Sequence, residues 1–166
     1  MKRTFSIFAP LLAALLGIAA PAMAQEIKFK SLQQDSSLPV DVASDSLSVD
    51  QTSGIAIFDG NVIVTQGAMT IKSAKARVQN SADGSGIEKL FFDGGVTFAS
   101  ETEAAEANEA VYTIASGEVV MTGDVLLTQG PTTIAGQKLV YDLQKGTGTM
   151  QGRVQTTFVP KSGVAP

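Results

Sequence analysis

Apolar and polar residues alternate with a period of two through most of this chain. Leu47 and Val49 alternate with Ser46, Ser48 and Asp50, and Ile55 and Ile57 continue the pattern. Ala74, Ala76 and Val78 alternate with Lys75 and Arg77, and Val154, Thr156 and Phe158 run in phase near the end. A period of two is the signature of half-buried strands. Val62-Ile63-Val64 is apolar on both faces, so two surfaces must cover it. Between Ser100 and Ala110 the Glu and Ala content favours a helix by intrinsic propensity. Ala105 and Ala107, however, alternate with Glu106 and Asn108, and this predicts a strand.

The strands recur in a unit. Phe58-Asp59-Gly60-Asn61-Val62-Ile63-Val64-Thr65-Gln66-Gly67 returns as Met121-Thr122-Gly123-Asp124-Val125-Leu126-Leu127-Thr128-Gln129-Gly130. Weaker copies surround Gly94 and Gly152, so the glycine steps are 34, 29 and 29 residues. A fixed spacing of this size marks a repeat architecture. Asp-Gly and Gly-Asn pairs supply the positive φ of tight hairpin turns. Each unit is therefore expected to be strand, tight turn, strand. Single hairpins are marginal in water, so several must share an apolar face.

Composition narrows the function classes. The 166 residues suit one domain, 17% of them are charged, and the net charge is −4. That balance argues against a nucleic-acid partner, which requires clustered Lys and Arg. Without Cys or His the chain has no thiolate chemistry and lacks the commonest general base and metal ligand. No Gly-x-Ser-x-Gly elbow occurs. The chain is read as a non-enzyme with no cofactor and no metal site. Glu101, Glu103, Glu106 and Glu109 are read as a solvated charge run, and Asp35, Asp41 and Asp50 as solvated acids.

Met1–Ala24 has the form of a secretory signal. Lys2 and Arg3 precede an apolar run, and Ala22-Met23-Ala24 is a small-x-small site predicting cleavage between Ala24 and Gln25. Residues 25–37 are expected to form a flexible arm, 38–160 the folded domain and 161–166 a tail. Export through such a leader places the mature chain in the periplasm or outside the cell.

Ser44-Asp45 followed by Phe58-x-Gly60-Asn61-Val62-Ile63-Val64-Thr65-Gln66-Gly67 resembles the LptA/OstA-like family of periplasmic lipopolysaccharide-transport proteins. Tyr112 to Tyr141, with Thr122-Gly123-Asp124-Val125 and Gly136-x-Lys138-Leu139-x-Tyr141, and the ending Phe158-Val159-Pro160 match as well. The resemblance spans roughly Leu38–Pro160 and departs in the middle, before Ala104. It implies an all-β fold, a twisted, open β-jellyroll or β-taco of about sixteen short antiparallel strands. It implies binding of lipopolysaccharide acyl chains in a groove between two sheets. Its other implied partners are an LptC-like inner-membrane protein, the N-terminal domain of an LptD-like outer-membrane protein, and further copies of itself, head to tail. A structural role is expected for Asp45.

Alternation together with that resemblance selects Val40, Val42, Val49, Ile55, Ile57, Val62, Val64, Phe98, Tyr112 and Ile114 as groove lining. Val40 and Val42 at one end, and Thr156 and Phe158 at the other, are the expected end-to-end interface by strand addition. Apolar strand faces are also what a closed, dry core requires. A secreted structural or adhesive β-solenoid is the competing reading.

Overall fold

The computed structural model describes residues 25–28, 37–84 and 86–159. The expected leader 1–24, most of the arm and the tail 161–166 lie outside these residues. Every regular element among those described is a strand: β1 (Gln25–Lys28), β2 (Asp41–Ala43), β3 (Ser46–Asp50), β4 (Ile55–Gln66), β5 (Met69–Asn80), β6 (Ile87–Ala99), β7 (Glu103–Thr113), β8 (Glu118–Gln129), β9 (Thr132–Asp142), β10 (Thr147–Gln151) and β11 (Gln155–Thr157). β4 to β9 form an antiparallel meander, each paired with its successor. The region from Ser100 to Ala110 enters a strand, as its alternation predicts. Gln25–Lys28 pairs with β10, so the flexible arm expected at 25–37 is corrected over its first four residues.

The glycine pairs do not reverse the chain. Gly60-Asn61, Gly94-Gly95, Gly123-Asp124 and Gly152-Arg153 all have positive φ at both positions, as the repeat suggested. Yet β4 pairs with β5 on both sides of Gly60-Asn61, with a register shift between Asp59 and Val62. β6 and β8 behave alike at their own pairs. The first three pairs are mid-strand bulges, which bend a strand instead of ending it, while Gly152-Arg153 lies between β10 and β11, which run along the two halves of β9. The reversals lie elsewhere, at Gly67-Ala68, Gly130-Pro131 and the loops between them. The expectation of many short hairpins is thus corrected to fewer, longer strands, six of them 11 to 13 residues long and bent. The repeat of about thirty residues is one strand out and one strand back.

Asp45 has the structural role expected of it. Its backbone N–H donates to Gly60 O at 2.9 Å, and its carboxylate accepts from Asn61 Nδ2 at 2.8 Å. A Cβ on Gly60 would lie 2.5 Å from Asp45 Oδ2, so the first bend needs a glycine for space as well as for φ.

The bends fold the sheet over on itself. β2 and β3 pair with the two halves of β4, and β11 and β10 with the two halves of β9. Each bent strand therefore contributes one segment to each of two facing half-sheets. Contacts between strands three places apart in the sheet prove the facing: Tyr112 on β7 reaches Gln66 on β4, and Phe98 on β6 meets Tyr141 on β9. Cα atoms of strands that are not hydrogen-bonded neighbours stay beyond 8 Å, as two packed sheets require.

Candidate functional site: an apolar interior with a polar rim

Inward side chains line up in rows from one edge of the sheet to the other. In one half-sheet the register runs Val42, Val64, Ile71, Phe98, Ala105, Leu127, Ile134, Thr156. In the other, one row runs Leu47, Phe58, Ala76, Phe92, Ala110, Met121, Leu139, Met150. A parallel row contains Val49, Ala56, Val78, Leu90, Tyr112, Val119 and Tyr141. The middle of each row is buried, whereas Leu47 and Val49 at the β3 edge are 55% and 59% exposed. At that edge the inward-phase apolar face of β3 is left exposed among the described residues.

The interior is tightly packed. Phe98 and Tyr141 stack at a tilt, with ring centroids 6.1 Å apart. Beside them Ala105, Val119, Met121, Leu127 and Leu139 enclose a cavity of about 10 Å³, room for about one water. A wider groove of about 650 Å³ opens on the surface where Leu38–Val40 passes Ile87, Ile114 and Ala115.

The residues expected to line a groove divide into three groups. Val62, Val64, Phe98 and Tyr112 are buried in the interior. Val40, Val42 and Ile114 are partly buried against it, and Val40 and Ile114 share the surface groove. Three are corrected. Ile57 is exposed and pairs with Ser48 and Arg77, and Ile55 shares its strand parity; both belong to the outer face, while Ala56 and Phe58 pack on the core. Val49 has the inward phase but lies at the uncovered edge. Of the expected end-to-end residues, Val40 and Val42 lie beside the β2 edge and Thr156 on β11 at the opposite edge, with Phe158 just beyond it and 72% exposed.

A polar rim went unread in the sequence. Gln66 pairs with Met69 and Glu103 with Gln129 at the strand ends farthest from the bends, where Ser100 N–H donates to Glu103 O at 2.9 Å. Tyr112 Oη donates to Gln66 Oε1 at 2.6 Å, and Gln66 Nε2 donates to Leu38 O at 2.8 Å. Burial pushes the Tyr112 phenol up to about 12. Glu103 is only 4% exposed, which corrects its reading as part of a solvated run. Its Oε1 accepts from Gln129 Nε2 at 2.8 Å, while its Oε2 and the Ser100 Oγ are buried with no hydrogen-bond partner among the described residues. Burial first, then the charges of Glu103 and Asp142, push the Tyr141 phenol up as well. Parity was the available signal, since Glu103 shares the face of Ala105 and Ala107.

The outer face is ordinary by comparison. Lys75 pairs with Asp59 at 2.9 Å, and this hydrogen bond raises the lysine's pKa. The Arg77 guanidinium lies 3.9 Å from the Phe91 ring centroid.

Residues 41–147 match the family described as the LptA/(LptD N-terminal domain) LPS transport protein. The chain belongs to this family. It is 30% identical over 159 residues to the lipopolysaccharide export system protein LptA of Escherichia coli K12, covering 87% of this chain and 84% of that protein. It is 27% identical over 157 residues to LptA of Haemophilus influenzae, covering 88% of this chain and 91% of that one. The fold matches the crystal structure of LptH, the LptA-homologous periplasmic component of the lipopolysaccharide transport device of Pseudomonas aeruginosa. The TM-score is 0.69 at 21% identity, covering 76% of this chain and 99% of LptH. The all-β, open antiparallel architecture expected of the family is thus the one this chain has.

Proposed function

We propose that this protein carries lipopolysaccharide across the periplasm by holding its acyl chains between the two half-sheets. One observation carries the reading: unbroken apolar rows run from edge to edge and end in the exposed Leu47 and Val49. Each buried CH₂ exposed to water costs about 0.8 kcal/mol, so a chain of a dozen carbons costs about 10 kcal/mol. Passage between two apolar interiors is then close to neutral, whereas passage through water is not. The protein supplies the path and not the energy.

The row that runs from β2 to β11 and the rows that run from β3 to β10 and β9 support an end-to-end bridge. In it, Val40 and Val42 of one copy meet Thr156 and Phe158 of the next, by strand addition. An LptC-like domain and an LptD-like N-terminal domain would occupy the terminal positions of that bridge. Such a bridge belongs in the periplasm, reached by a leader cleaved between Ala24 and Gln25. The folded unit is the span 38–160 together with Gln25–Lys28. Nothing in this reading requires catalysis.

Because the resting cavity holds about 10 Å³, a chain enters only if the half-sheets part. The competing reading, a secreted structural protein with a dry core, draws on that same small volume. A photoreactive residue placed in living cells separates the two. Crosslinks to lipopolysaccharide are expected at Phe98 and Val64 and not at Ile57 on the outer face. Absence of label at every inward position would overturn transport through the interior.

A further inference from the structure

Glu103 is the buried group that the packing leaves unexplained. A carboxylate oxygen without a donor, 4% exposed, costs about as much as a lost hydrogen bond to a charged group. Buried polar groups are nearly always hydrogen-bonded, so an acceptor left open calls for a donor or a functional reason. Glu103 lies two residues from Ala105 on the same strand face, and Ala105 lines the apolar cavity with Phe98 and Tyr141. Tyr141 lines the same cavity from the facing half-sheet, and after burial the charge of Glu103 helps to push its phenol up. Ser100, whose Oγ is also buried without a partner, bonds the backbone of Glu103. The open acceptor therefore belongs to the side chain next along that strand face, one position beyond the cavity's apolar wall.

We infer that Glu103 is a recognition residue that accepts a hydrogen bond from a hydroxyl or amide N–H carried on an acyl chain lodged in the cavity beside Phe98 and Tyr141. The inference rests on the proposed acyl-chain binding and adds its selectivity. A neutral donor close to the chain satisfies Oε2. A carboxylate head on the same chain offers only acceptors and adds a like charge at the rim. Gln129 holds Oε1 at 2.8 Å and so fixes which oxygen faces the ligand. Gln66, the counterpart of Gln129 in the repeat, offers no open acceptor, because Tyr112 and Leu38 already occupy its amide.

The test compares two ligands of equal chain length, N-methyldodecanamide and dodecanoate, titrated calorimetrically into the full mature protein below their micelle concentrations. The wild type is expected to bind the amide about tenfold more tightly, as one charge-assisted hydrogen bond implies. Glu103→Gln, which presents a donor where Oε2 stood, is expected to bring the ratio close to one, and Glu103→Met to do so as well. Glu106→Gln removes an exposed charge on the outer face and should leave the ratio as it was. Equal affinities in the wild type, no binding of either ligand, or a ratio unchanged in Glu103→Gln would each overturn the inference. Lipopolysaccharide capture by the same wild-type sample tells the two failures apart: if capture persists, only the role of Glu103 falls, and if it is lost, acyl-chain binding falls with it.

Discussion

The rim of the folded sheet is built twice, and the two versions differ. Around Gln66 every polar atom of the amide is engaged: Tyr112 donates to it from the opposite half-sheet, and it donates to Leu38, which lies across the gap. Around Glu103 the amide of Gln129 satisfies one oxygen and leaves the other bare. The first version ties three chain segments together, and the second joins two neighbouring strands and leaves an unmet acceptor. Buried hydrogen bonds that are complete resist opening, while an incomplete set lowers the cost of parting. The difference makes the seam between Glu103 and Tyr141 the less completely bonded of the two, and the seam at Gln66 the more completely bonded.

The most damaging way to probe the weaker seam is to remove its aromatic partner. Phe98→Ala should lower the unfolding free energy by about 3–5 kcal/mol in urea titration, because it deletes a buried ring in a tightly packed region. A loss under 1 kcal/mol would mean that this region collapses freely and is not a defined wall.

Alkaline pH attacks the stronger seam. The folded protein holds the Tyr112 proton to about 12, while the unfolded chain releases it near the ordinary value of 10. The folded state thus binds the proton more tightly. This contribution is complete below pH 10 and is lost as pH rises through about 12, at a cost of about 2 kcal/mol. Unfolding followed from pH 9 to 12 should show that loss on top of one of the same sign from Tyr141, and Tyr112→Phe should shrink the total without abolishing it.

At neutral pH, Gln66→Leu leaves the Tyr112 hydroxyl and the Leu38 carbonyl without their partner and should cost about 2 kcal/mol. Glu103→Gln should act in the opposite direction, gaining about 1 kcal/mol, since a neutral amide replaces a buried acid that has one oxygen without a donor. Chemical denaturation of both variants under one condition compares the seams directly. Equal losses in the two would abolish the distinction between them.

Much of this molecule was legible along the chain. Alternation together with the family resemblance singled out Val62, Val64, Phe98 and Tyr112, which are buried, and the strand expected in Ser100–Ala110 is present from Glu103 onward despite the helical composition. The repeat of Phe58–Gly67 at Met121–Gly130 revealed a regular β architecture, and positive φ at Gly60 and Gly123 followed from the lack of a Cβ. Asp45 beside the first of these glycines also carried its structural meaning in sequence.

What sequence could not decide was whether those glycine pairs turn the chain or bend it. A Gly-Asn pair has the same local backbone preference in either setting, and only pairing on both of its flanks distinguishes them. That choice sets which strand segments oppose one another. It put Ile57 outside, while position at the edge left Val49 uncovered. Glu103 makes the same point: its parity with Ala105 was visible, but its burial arises from a second half-sheet brought across by bends elsewhere in the chain. Local alternation fixes the two faces of each strand, and the long-range fold alone determines what covers them.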